Sequence, residues 1–487
     1  MIEENVKIHN KYSVEFKLGF YARRKKKVSE FAVNIWIFIP NSLDINPSTY
    51  DKKDFYRDLK SNIRLITPVY LLRDITVGDD SPIQKLEKAF NSLASSPTRT
   101  NITEYEHQIK LFLSVCRSAL RNETTHIIQA SRAEDSLVLT DAYVQNTQKI
   151  IYHYRTLWQI INVPTVNQKL INYYRFGDEF LSNTIEQHCF RLLSALQAPE
   201  TAPQTEAAKN LWSLIRSEIK YKKENNFLVV DRNSKDGNRE LVHRLGLLKK
   251  YAEDVLFLFT RKKKDGIITE QIYLSIAAGI SMVFATAVAF SFQQKYGNLT
   301  MPFFVALVIS YMLKDRIKEL GRYYFAHKLG PNYFDHKTLI SLKDIDIGWS
   351  KEAMDFISES NVPAEVIRIR NRSAILEADN RNNDEKIILY RKLVKLNRQS
   401  LDKCGDYFFA GTNDIIRFNI NGLLAKMDNP EFFLFLTDKN KSYHIINGDK
   451  VYYLNFILQL KHEETVSYKR YRLQINRNGI SKLENMR

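Results

Sequence analysis

The sequence predicts a mixed α+β integral membrane protein: an N-terminal β-hairpin plus an α-helical bundle, a central two-helix transmembrane hairpin, and a small C-terminal antiparallel β-sheet packed on a helix. Three observations lead there. Two uncharged runs, QIYLSIAAGISMVFATAVAFSFQQ at 271–294 and YGNLTMPFFVALVISYML at 296–313, lie almost back to back. Apolar residues recur every second position near both ends of the chain. Between the first of these stretches and the uncharged runs the spacing changes to three and four, the period of a helix face.

Near the start, Val14, Phe16, Leu18 and Phe20 alternate, and Phe31, Val33, Ile35, Ile37 and Ile39 repeat the pattern. The two runs predict a β-hairpin whose turn carries Arg23, Arg24, Lys25, Lys26 and Lys27, closed at Pro40 and Asn41. The opening residues, with Glu3, Glu4 and Lys7, form no apolar core of a secretory signal, so the N-terminus is expected in the cytosol. From about 51 to 225 the pattern is helical, as in Ile109, Leu111, Phe112, Val115 and Leu120. Asp79 and Asp80 before Pro82 read as a turn and cap, and Pro199 and Pro203 mark a loop. A short strand is expected at 227–230, then a helix at 239–259 that leads to the membrane.

The first uncharged run is long enough, at about 1.5 Å per residue, to cross a hydrocarbon core of about 30 Å. The second suffices beside a partner. Arg261, Lys262, Lys263 and Lys264 precede the pair and Lys314, Arg316, Lys318 and Arg322 follow it, while the turn offers Lys295 alone. The positive-inside rule therefore predicts a multi-pass protein of the cell (inner) membrane with both termini cytoplasmic, its basic collar on anionic lipid headgroups. Small residues recur at Ala277, Ser281, Ala285 and Ala289, and at Ala306 and Ser310, a stripe that lets helix backbones approach in lipid. It packs the two spans on each other or joins separate chains. Neither run holds Asp, Glu, Lys, Arg or His, which argues against a transporter.

The expected domains are 1–260, 261–328 and 329–487. In the last, 314–328 continues the second helix, EVIRIRNR reads as a strand with Arg368, Arg370 and Arg372 on one face, and 384–402 reads as a helix. From 415 to 484 the pattern is β. Tyr452, Leu454, Phe456, Leu458 and Leu460 line one strand, HEET turns, and Tyr471, Leu473 and Ile475 line its return. Asn447-Gly448 and Asn478-Gly479 supply turn signals.

No phosphate-binding loop, dinucleotide fingerprint, zincin helix or nucleophile elbow is present. Asp231 to Glu240 imitates a calcium loop, but Lys235 and Asp236 occupy positions needed for a ligand and a glycine. Asp344 and Asp346 form a carboxylate pair, and His327, Asp335 and His336 could meet after the second span. No cofactor and no metal is expected. Cys116, Cys189 and Cys404 are far apart and fit a reducing compartment. The net charge of +17 calls for an anionic neighbour, with lipid favoured over nucleic acid. The expected function is a membrane-anchored scaffold or regulator, with a protein partner or a homo-oligomer as its assembly. The alternatives are an oligomerising sensor-effector that perturbs the membrane and a membrane-attached enzyme acting on lipid or nucleic acid.

Overall fold

Alternation of apolar and polar residues produces strands at both ends of the chain, but their partners are distant. The computed structural model describes residues 1–486 except 131–132, 197–205, 298–299, 325–332, 374–384 and 438–442. Contacts divide the chain into two units. One comprises Met1–Ile63, Leu258–Gly405 and Gly411–Arg487, and the other Arg64–Phe257 and Asp406–Ala410. The first unit thus joins sequence from both flanks of the hydrophobic pair, across the expected segment boundaries.

In that unit, β1 (Ile2–Asn10), β2 (Ser13–Tyr21), β4 (Leu59–Leu65) and β9 (Gly411–Asn419) form a sheet in the order β1-β2-β9-β4. A second sheet has eight strands. It uses β3 (Val28–Ile39), β5 (Phe259–Lys264), β6 (His336–Leu342), β7 (Ile345–Ile357), β8 (Lys386–Asn397), β12 (Tyr452–His462), β13 (Thr465–Asn476) and β14 (Gly479–Met486). Its order is β14-β13-β12-β3-β8-β7-β6-β5. The expected N-terminal hairpin is therefore corrected: β2 and β3 enter different sheets, and the basic turn crosses between them. Arg23 and Lys26 of that turn pair with Glu463 in the HEET turn, at 2.9 and 2.6 Å.

The sheets pack face to face. Phe16 meets Phe456 at 5.3 Å between ring centroids, and Phe20 meets Phe31 at 5.4 Å. Each alternating run of β2, β3 and β12 turns its apolar side into this core. On the far face of β3 and β12, Trp36, Phe38 and Ile457 are covered by Val366 of a short helix, Ala364–Arg370. That helix replaces the expected EVIRIRNR strand, and Pro363 at its N-cap explains the difference. Arg370 and Arg372 do not form a free basic row, since both pair with Glu385, at 2.7 and 2.9 Å.

Three further expectations are corrected. Residues 386–397 are a strand, with only Arg398–Asp402 helical. Phe227 to Val230 form no strand, and the next helix is Lys235–Glu253. Asn447-Gly448 lies inside a strand, whereas Asn478-Gly479 does turn, with Gly479 at φ +130°.

The other unit is a helical bundle. Its long members are α2 (Pro82–Ser95), α3 (Arg99–Ile128), α4 (Ala133–Thr156), α6 (Gln168–Leu196), α7 (Glu206–Glu224) and α8 (Lys235–Glu253), numbered after α1 (Lys52–Asp58) of the first unit and counting a single turn, α5 (Trp158–Ile161). Phe112, Tyr154 and Tyr174 stack at its centre. A buried ion cluster ties three helices: Arg155 of α4 binds Glu218 of α7 at 2.7 Å and Asp178 of α6 at 3.3 Å. Ser182 adds a 2.7 Å hydrogen bond to Glu218. Such a cluster fixes helix register, because removing one partner leaves a buried charge uncompensated.

Candidate functional site

Strands β5 and β6 are neighbours in the sheet, yet a helical pair is inserted between them. Lys264 stands opposite His336, and Asp265 N donates to Asp335 O at 3.2 Å to close the base. From this base rise α9 (Ile267–Tyr296) and α10 (Met301–Tyr324). The chain turns into α9 at Gly266, whose φ of +71° is in the left-handed region that favours glycine and where a Cβ would lie a tight 3.3 Å from the Tyr333 ring.

The pair is apolar on its outside. Ile268, Val283, Phe290, Met301, Phe304 and Met312 are all more than half exposed, and on α9 only Ser281 is buried. Within the most apolar window of α9, 6% of the residues are buried. The small-residue stripe faces inward. Ser310 Oγ donates to Ala285 O at 3.2 Å, Ala306 and Ser310 are buried, and a Cβ on Gly321 would lie 2.6 Å from that of Ala277. Ala289 is half-buried on the same helix.

Those two contacts set the stagger. Lys314, Arg316 and Lys318 lie between Ser310 and Gly321, so they run alongside the 277–285 stretch of α9. The expected transmembrane hairpin with spans at 271–294 and 296–313 is therefore corrected: α10 begins at Met301, and among the described residues only α9 is long and apolar enough to cross a membrane. The apolar slab common to both helices reaches from Met301 to Leu313 on α10, roughly 20 Å at about 1.5 Å per residue.

At the root lies a cavity of about 780 Å³, lined by Lys52, Lys53 and Arg57 of α1, by Lys264, Glu270 and Leu274, by Arg322 of α10 and by Tyr333 to His336. Its acids are tied down. Asp335 accepts from Lys52 at 2.7 Å, from Tyr56 Oη at 2.9 Å and from Met354 N at 2.8 Å. Glu270 pairs with Lys264 at 2.8 Å and Asp265 with Lys351 at 2.9 Å. Four of its five lining cations are paired as well, Lys52 with Asp335 and Asp355, Arg57 with Asp54 and Asp58, Lys264 with Glu270 and Arg322 with Glu319. His336 packs its ring on Tyr56 at 4.5 Å, and burial with nearby Lys262 pushes its pKa below the usual histidine range.

Behind the cavity, Lys392 is buried with Asp414 and lies in the field of Glu352, which also binds Lys262 and accepts from Tyr390 Oη at 3.0 Å. Burial opposes the charge on Lys392, but Asp414 and Glu352 outweigh it and raise the pKa. Burial likewise opposes the Glu352 carboxylate, and Lys392 and Lys262 hold its pKa down.

The expected basic collar divides. Arg261, Lys262, Lys263 and Lys264 are on β5 at the sheet edge, and its alternation sends Lys262 and Lys264 to acids, at Glu352 and Glu270. Arg261 and Lys263 face the other side, in rows with Leu339 and Trp349 and with Lys337 and Lys351. Lys337, Lys351 and Lys395 surround the Trp349 ring at 5.4, 5.6 and 6.0 Å. On α10, Lys314 lies over Tyr311 at 4.0 Å and Arg322 pairs with Glu319 at 3.1 Å.

Asp344 and Asp346 do not meet His336. Asp344 is in the turn after β6, and His336 is at the other end of that strand, roughly 20 Å away at about 3.3 Å per residue. His327 lies outside the described residues. Among the described residues no three His, Cys, Asp or Glu side chains are placed to hold a metal. Sequence reasoning missed Trp349, Lys337, Lys351, Lys53 and Arg57, which no local motif marks. No protein-family model, curated protein or solved structure matches the chain.

Proposed function

We propose that this chain is a membrane-anchored scaffold or regulator, with α9 and α10 embedded in the bilayer and both termini on its cytoplasmic side. The observation that carries this reading is the exposure of α9: a long apolar helix on which Ser281 alone is buried and whose face away from α10 is uncovered. In water that surface would cost about 25 cal/mol per Å², and lipid removes the cost. The strands at the base hold the remainder of the first unit at headgroup depth. There the Trp349 platform with its lysines suits anionic headgroups, since aromatic rings and Lys side chains both favour the interface. Scaffolding requires no catalytic constellation, and a partner protein would dock on the cytosolic surfaces.

The common slab of roughly 20 Å is shallower than a core of about 30 Å. It favours a second reading, in which the tip of the pair stops within the bilayer while Lys314, Arg316 and Lys318 extend to one interface. Labelling decides between them. In intact cells or spheroplasts, Lys295→Cys reacts with an impermeant maleimide from the outside if the pair crosses, and Lys337→Cys only after lysis. Labelling of both positions only after lysis supports the shallow insertion. A chain recovered free of the membrane fraction contradicts both. The packing of the small-residue stripe within the chain favours the scaffold reading over a sensor-effector that assembles through that stripe.

A further inference from the structure

A second element shares the apolar exposure of the helical pair. Strands β10 (Glu431–Thr437) and β11 (Tyr443–Asp449) form a two-stranded ribbon that belongs to neither large sheet. On β10, Phe432, Phe433, Leu434, Phe435 and Leu436 are consecutive and between 49% and 69% exposed. Since neighbours on a strand point to opposite sides, both faces of the ribbon are apolar. Tyr443, Ile445 and Ile446 extend them on β11. A lone two-stranded hairpin is at best marginally stable in water, and both of its edges carry unpaired backbone groups.

We propose that β10 of one copy pairs antiparallel with β10 of a second copy about a two-fold axis at Leu434, giving a four-stranded sheet. This register sets Leu434 against itself, Phe433 against the partner's Phe435, and Phe432 against the partner's Leu436. All five central positions are apolar against apolar. The same operation on β11 would oppose Ile445 to Asn447 and Tyr443 to Asp449, so β10 is the edge that matches itself. Hydrocarbon is a poorer occupant, because an open-edged ribbon leaves N–H and C=O groups unpaired there at several kcal/mol each. Pairing the two β10 edges closes one open edge of each ribbon, and sets apolar side chains beside apolar ones on both faces of the resulting sheet.

The test is oxidative cross-linking of the full chain in mild detergent, independent of whether the helical pair lies in the bilayer. Cys116, Cys189 and Cys404 are buried, so the unmodified chain sets the background. Leu434→Cys is expected to give a disulfide-linked dimer at least tenfold above it. Thr437→Cys and Ile446→Cys should stay at background, because the register separates each from its own counterpart by about 20 Å along the strands and about 14 Å across them. Background cross-linking at Leu434→Cys overturns the proposal, as does equal cross-linking at all three positions.

Discussion

Helices α3 and α9 both run for 30 residues, yet one is the centre of a bundle and the other is almost bare. On α3, Tyr105, Ile109, Phe112, Leu113, Cys116 and Leu120 are fully buried, while Arg117, Arg121 and Glu123 interrupt the apolar stretch. On α9 the charges are confined to the two ends, at Glu270 and Lys295, and a single serine is buried. Apolar content alone does not separate a core helix from one left uncovered. What separates them is whether polar residues occupy one face, because a bundle helix must keep a wet side and a helix in lipid has none.

Truncations should break the two helices differently. Phe112→Ala on α3 is expected to destabilise the bundle by about 3–5 kcal/mol, read by denaturant unfolding in detergent. Val283→Ala on α9 should change that transition by less than about 0.5 kcal/mol, the usual range for a side chain that packs on nothing. A large loss at Val283 would mean that the outside of α9 is covered by protein.

A charge sharpens the contrast. Val283→Arg is expected to cost about 2.5–3.5 kcal/mol of insertion, moving a substantial part of the chain out of the membrane fraction. The same exchange at an exposed bundle position, Val138→Arg, should leave fractionation unchanged.

Titration divides the regions as well. His188 on α6 has its pKa lowered to about 4 by burial, with Arg191, Arg117 and Arg121 adding to the effect. The folded bundle therefore favours the neutral ring. The resulting stability is complete above the ordinary pKa of 6.5 and is lost as pH falls toward 4. The unfolding free energy should drop by about 2–3 kcal/mol across that range, and His188→Gln should flatten the dependence. The 271–294 stretch of α9 contains no group that titrates in this window. Helix-pair contacts followed by cross-linking should be indifferent to the same pH change.

The smallest effect concerns the stripe. Ser281→Leu forces a larger side chain between α9 and α10 and is expected to cost about 1–3 kcal/mol of their association, seen as increased protease cleavage near Gly297. Oligomer mass should not change, since the stripe is used within the chain. A fall in mass would return the stripe to an intermolecular role.

Much of the local structure was legible in the sequence, and most of the long-range structure was not. The β12–β13 hairpin follows directly from its alternation, with Leu454 opposite Leu473 and Phe456 opposite Tyr471. The alternating runs of β2 and β3 were equally clear, but alternation fixes a face and not a partner. Strand β3 pairs with β8 and β12, hundreds of residues away. Strand β8 was misread because Lys392 occupies an inward position between Tyr390 and Val394. A buried lysine breaks the pattern unless Asp414 and Glu352 are already known to meet it. The root cavity was hidden for a similar reason, as its cations come from segments around 52, 264 and 322 that only the fold unites. The hydrophobic pair was visible from run length, but its stagger was not, because Gly321 packing on Ala277 is a contact and not a motif.

The most direct test compares membrane retention after an alkaline carbonate wash for the full chain and for a chain in which 266–333 is replaced by a short glycine-rich turn. The pairing of Lys264 with His336 lets such a turn close β5 onto β6. The account predicts that the full chain stays in the membrane pellet and the excised chain moves to the soluble fraction with its sheets intact. A full chain that is monodisperse in water without detergent would contradict it.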